Sequence, residues 1–158
     1  MILTTHALTG AVIGKNLDGP YLIIIVSIAI HYLMDTLRHG EYLNNKSSTK
    51  ETLWKVFLDI FAGLTIIALI LYYNYNTSNN LNSFNISNIS LGVFFSMFPD
   101  FLTFLYWKMN FKFLKKLYDF HTWIHKYPPF SPQRAWNFQN SINDIFISVT
   151  AIVLLLFF

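Results

Sequence analysis

The chain has 158 residues, room for one domain over 1–158, with 54% apolar and only 12% charged residues, about half the charged share of a soluble protein. Sixteen Phe, nine Tyr and four Trp point to a membrane, and a net charge of +3 without a dense basic tract argues against nucleic acid as a partner. Cysteine is absent, which excludes disulfides and thiolate sites, so any metal must be held by imidazole and carboxylate.

The first element is a short helix over 4–14, "TTHALTGAVIG". It lacks the basic start of a secretory signal and carries His6 among threonines, so it reads as part of the fold. It is shorter than the ~20 residues that cross a bilayer. Gly10 and Gly14 form a small-xxx-small pair that admits a neighbouring helix closely. The "NLDGP" turn then ends this helix and starts a second, over 21–38. A third, over 51–73, is capped by Ser48 or Thr49, and an Asn-rich loop follows. A fourth runs over 88–108, with Pro99 expected to kink it and free a carbonyl. Residues 110–126 alternate lysines with Phe and Leu, the pattern of an amphipathic helix lying at a membrane interface. The last helix, over 134–158, ends in "AIVLLLFF". The expected fold is therefore all-α: an integral membrane bundle of four to five membrane helices plus one interfacial helix.

Arg38, Lys46, Lys50 and Lys55 surround one connection, and Lys108, Lys112, Lys115, Lys116, Lys126 and Arg134 another. By the positive-inside rule both face the cytoplasm, and the Asn-rich loop, which has no Lys or Arg, faces out. Lys15 runs against this assignment. A prokaryotic inner membrane is the expected location. On that map the ionisable groups gather in one cytoplasmic layer, although they come from every helix.

Each member has a bland alternative. His31 and Asp35, one helical turn apart, either coordinate something or neutralise each other. His121 and His125, in "HTWIH", either present two imidazoles to a metal or are ordinary polar residues of an interfacial helix. Asp100 follows Pro99 in an aromatic helix, where it is a ligand or a cap for broken backbone. Asp59 has Lys55 one turn back as a partner, Asp144 is explained equally by solvent or capping, and His6 by its place at a helix start. His39, beside Gly40 and Glu41, is the weakest histidine of the set, and Asp18 and Asp119 read as solvated. Together these imidazoles and carboxylates are the donor mixture of catalytic zinc, manganese or iron sites, including two-metal sites for phosphoesters. An ionisable group inside a membrane costs about 2.5–3.5 kcal/mol, which makes such a layer a functional candidate.

"TTHALTGAVIG", "HYLMD", "FPDFL" and the late histidine pair resemble the small predicted membrane-bound metal-dependent hydrolases and, more remotely, the all-helical zinc-dependent phospholipase C group. The resemblance implies that His6, Asp100, His121 and His125 are metal ligands, with His31 and Asp35 contributing. The chain departs from the first family in having no second acidic residue or His close behind its Pro-Asp, and "HTWIH" in place of a His-Arg-Gly run.

The expectation is a membrane hydrolase that holds one or two divalent ions, zinc first with manganese or iron as alternatives, and cleaves a phosphoester of a lipid or lipid-linked substrate. Asp35, Asp100 and His121 are its expected catalytic residues, and Lys126 and Arg134 its expected phosphate contacts. The competing expectation is a non-enzymatic metal-binding membrane protein or a small ion or proton transporter. Oligomeric state is not legible.

Overall fold

The computed structural model describes residues 1–42, 48–78, 85–128 and 131–158. Six α-helices make up the described residues, with no β-strand: α1 (Leu3–Asn16), α2 (Pro20–Asp35), α3 (Thr49–Ser78), α4 (Ile86–Met109), α5 (Lys115–Ile124) and α6 (Phe138–Phe157). Lys46 and part of the Asn-rich loop lie outside the described residues.

Local chemistry sets the ends. Gly19 adopts φ +91°, a conformation that suits glycine, and Pro20 opens α2. Ser48 Oγ accepts from Glu51 N at 3.1 Å and caps α3. Asn85 and Asn137 cap α4 and α6 in the same way. Asn110, at φ 57°, ends α4 in the left-handed conformation typical of a helix stop.

α1 is the hub of the bundle and touches α2, α3, α4 and α6. Its glycine face does what the spacing predicts: a Cβ on Gly10 would collide with Gly92 O of α4, and one on Gly14 with Asn88 O. The core around it is Ala7, Leu8, Ala11, Ile67, Ile70, Ile89, Val93, Ala151 and Leu155. Outward, α2, α3 and α6 expose Ile25, Phe57, Phe61, Leu69, Phe146 and Phe157, as helices facing lipid do.

Three helices, α3, α4 and α6, are long and apolar enough to cross a membrane; α2 is apolar but shorter. At 1.5 Å per residue the 14-residue α1 reaches about 21 Å and the 16-residue α2 about 24 Å, short of a ~30 Å hydrocarbon core.

Several boundaries differ from expectation. α2 stops at Asp35, so His39 is not on its face. α3 continues to Ser78, through the start of the Asn-rich segment, where buried Asn74 donates to Leu155 O of α6 at 2.8 Å. The interfacial helix is shorter than 110–126: a 3₁₀ turn over Lys112–Leu114 leads into α5, and His125 lies beyond its end in extended conformation. A second 3₁₀ turn, Pro132–Arg134, precedes α6. Lys15, which ran against the charge map, donates to Leu155 O at 2.7 Å and so closes the C-terminal end of α6.

Candidate metal centre

The start of α1, the end of α2, the C-terminal half of α4 and α5 meet at one end of the bundle. His31 and Asp35 are one turn apart on α2 and both are buried. Asp35 Oδ2 lies 3.2 Å from His31 Nε2, 3.0 Å from His121 Nε2 and 3.7 Å from His125 Nε2. Its Oδ1 lies 3.4 Å from His6 Nε2 and 3.2 Å from the Met1 nitrogen. Asp100 stands opposite, 3.8 Å from both His6 Nε2 and His121 Nε2. Thus the structure brings together all six expected ligands. Donor atoms of His31, Asp35, Asp100 and His121 lie within 4.8 Å of one another.

The tautomers are informative. His31 Nδ1 lies 2.7 Å from Ser96 O, and a carbonyl only accepts, so Nδ1 carries the proton. In the neutral ring Nε2 then points a lone pair at the Asp35 carboxylate. Ser96 sits in the turn before Pro99, where the helix was expected to offer a carbonyl. A backbone carbonyl holding the far nitrogen is the usual support of a metal-ligating histidine. His121 Nδ1 lies 2.9 Å from Thr103 Oγ1, which can play the same part. Neither ring nitrogen of fully buried His6 has a hydrogen-bond partner.

Protonating every ring would not satisfy the cluster. Ring centroids are 4.2 Å apart for His6–His31, 5.2 Å for His31–His121 and 5.0 Å for His121–His125. Like charges 4 Å apart repel by about 4 kcal/mol at an effective dielectric of 20. A single divalent ion could answer the lone pairs of His31, Asp35, Asp100 and His121 at once. Bonds of about 2.0–2.1 Å in a tetrahedron put donors about 3.3 Å apart, close to the 3.0–3.8 Å separations around Asp35 and Asp100.

Beside this group, His39 Nδ1 lies 2.8 Å from Leu37 O and its Nε2 is 3.6 Å from Glu41 Oε1. The His39 and His125 rings are 5.1 Å apart. Burial would raise the Glu41 carboxyl, but the Arg134 guanidinium paired with it holds it down to about 2. Burial pushes His125 down to about 3, so it stays a neutral ring with a free lone pair.

Two candidates from the same layer do different work. Asp59 takes no part in the cluster and does not pair with Lys55, which binds Glu51. Its carboxylate accepts from Leu3 N at 2.7 Å and Thr4 N at 3.0 Å, capping α1 from a neighbouring helix, and from Tyr42 OH at 2.6 Å. Asp144 accepts from Ile2 N at 3.1 Å. Asp119 binds Lys115 on the surface, at 2.6 Å.

A cavity of about 490 Å³ adjoins the centre, with Leu53, Val56 and Ile60 of α3 on one side and Phe94, Phe98 and Phe101 of α4 on the other. Asp100, His121 and His125 form part of its polar end, while Asp35, His6 and His31 sit behind them. Arg134 also lines it, with its guanidinium paired to Glu41 and to Tyr127 O. Lys126 is exposed, does not line the cavity, and lies 5.9 Å from the Tyr127 ring centroid.

Sequence reasoning underrated His39 and passed over Glu41. The i, i+4 register of His31, Asp35 and His39 was the signal for His39, although the chain delivers it by a turn after α2 and not by continued helix. No family model, curated protein or solved structure matches the chain.

Proposed function

We propose that the protein is a membrane-embedded, metal-dependent hydrolase that cleaves a phosphoester of a lipid or lipid-linked substrate at the cytoplasmic leaflet. The observation that carries this reading is the buried His/Asp cluster at the polar end of an apolar cavity between α3 and α4. Such a space suits an amphiphile: a hydrocarbon chain lies against Val56, Ile60, Phe94 and Phe98, and its polar head reaches the donors. Here α1, α2, α3, α4 and α6 are the membrane segments and α5 lies at the interface. The described cations at the centre's end, from Arg38 to Arg134, favour a cytoplasmic position for that end by the positive-inside rule.

His31, Asp35, Asp100 and His121, with His6 in reach, hold a divalent ion, zinc first among the candidates. A bound ion lowers the pKa of water and braces a phosphate oxygen. Asp35 and His31 anchor from behind. Asp100 and His121, on the cavity wall, are the donors nearest to a substrate, and Arg134 is the cation placed to meet its phosphate. The resemblance to predicted membrane-bound metal-dependent hydrolases points the same way.

Elemental analysis of detergent-purified protein, with Asp100→Asn and His121→Ala beside it, tests the centre; a panel of phospholipids and lipid phosphates, assayed for released headgroup or phosphate, tests the chemistry. Metal and turnover in the parent, both reduced in the folded variants, are expected. A parent that takes up no metal, or variants with undiminished turnover, overturn the reading. Metal without turnover on any lipid leaves the non-enzymatic metal-binding alternative.

A further inference from the structure

We infer that the centre is built for two cations, the second held by Asp35, His39 and His125, with Asp35 shared between the two sites. The inference rests on the metal reading of Asp35 but not on hydrolysis.

The first group is saturated with donors before His39 and His125 are considered: His6, His31, His121 and Asp100 already surround Asp35. Donor atoms of Asp35, His39 and His125 also lie within 4.8 Å of one another, with His125 Nε2 nearest the same Asp35 oxygen, Oδ2, as His31 and His121. His39 is 2% exposed, and its proton is fixed on Nδ1 by the Leu37 carbonyl. Its Nε2 has no hydrogen-bond partner, since the 3.6 Å to Glu41 Oε1 is too long for one. A buried nitrogen lone pair without a donor is costly unless something binds it. His125 contributes in the same sense. Its Nε2 lies 3.7 Å from Asp35 Oδ2, and its Nδ1 is buried without a partner. Two imidazoles and a carboxylate leave open positions for water or a phosphate oxygen, and His125 borders the cavity from which a phosphate would come. Glu41 adds negative charge beside the site, and Arg134 ties Glu41 in place.

Two ions that share a carboxylate in such sites sit about 3.5–4 Å apart, close enough for exchange coupling between manganese spins. Metal-free protein is titrated with Mn²⁺ in detergent, counting bound ions and recording the electron paramagnetic resonance spectrum. Two ions per chain with the spectrum of a coupled pair are expected. The monodisperse His39→Ala and His39→Asn variants should each hold one ion with an uncoupled spectrum. One ion per chain in the parent, removed by His121→Ala, overturns the second site and leaves the first standing. Two ions retained in both His39 variants also overturn it. No bound manganese or zinc in the parent removes both sites.

Discussion

Replacing Asp59 by Asn separates the helix-capping carboxylate from those that face the imidazoles. Asp59 accepts four hydrogen bonds, from Leu3 N at 2.7 Å, Thr4 N at 3.0 Å, Thr4 Oγ1 at 2.6 Å and Tyr42 OH at 2.6 Å. Two fall on each oxygen. An asparagine keeps one oxygen and presents an NH₂ group to the other pair of donors, so two bonds are lost and two weaken from charge-assisted to neutral. A bond to a charged group contributes about 1.5–3 kcal/mol and a neutral one about 0.5–1.5. The charge at the α1 N-terminus adds about 0.3–1 kcal/mol. Allowing for recovered hydration at this half-buried position, the expected loss is about 2–4 kcal/mol, a 30- to 1,000-fold fall in the folded-to-unfolded ratio. Denaturation in mixed micelles measures it. Metal bound per folded chain, read at saturating ion, should match the parent, because Asp59 is not among the donors around Asp35. A variant as stable as the parent, or one that folds equally well but has lost its metal, refutes the assignment of Asp59 as a cap.

Gly10→Ala forces a methyl group onto the Gly92 carbonyl, so α1 and α4 must part; a loss of about 1–3 kcal/mol in the same denaturation assay is expected, with weaker ion binding, since His6 and Asp100 ride on those two helices. Tyr42→Phe removes the hydrogen bond to Asp59, at an expected cost of about 1.5–3 kcal/mol at neutral pH. Burial, with the Asp59 charge beside it, raises the Tyr42 phenol above its ordinary value of 10.0. The bonded phenol thus stabilises the fold fully below pH 10 and loses that contribution as pH rises further, when the unfolded chain ionises first. The parent should lose stability above that pH more steeply than Tyr42→Phe does; equal slopes in alkaline denaturation would contradict the buried phenol.

The helical class, the apolar segments and the small-residue face of α1 are written in the sequence, because each depends on composition and near-neighbour spacing. The Gly10 and Gly14 pair needs no partner to be recognised, and its partner proves to be Gly92. Ser48 as a cap and Pro20 as a helix start are equally local. So is the one-turn spacing of His31 and Asp35. Only tertiary structure could sort the carboxylates. Asp35, Asp59, Asp100 and Asp144 are alike in sequence, acids in apolar helices, yet two face imidazoles and two receive the N–H groups at the start of α1. The difference lies in which helix end each one meets, and that is set by packing around α1 across separations such as the 142 residues between Ile2 and Asp144. The same holds for His39: its place next to His125 depends on where α2 stops and how the following turn is folded, and neither hydrophobic pattern nor spacing encodes a meeting between loops.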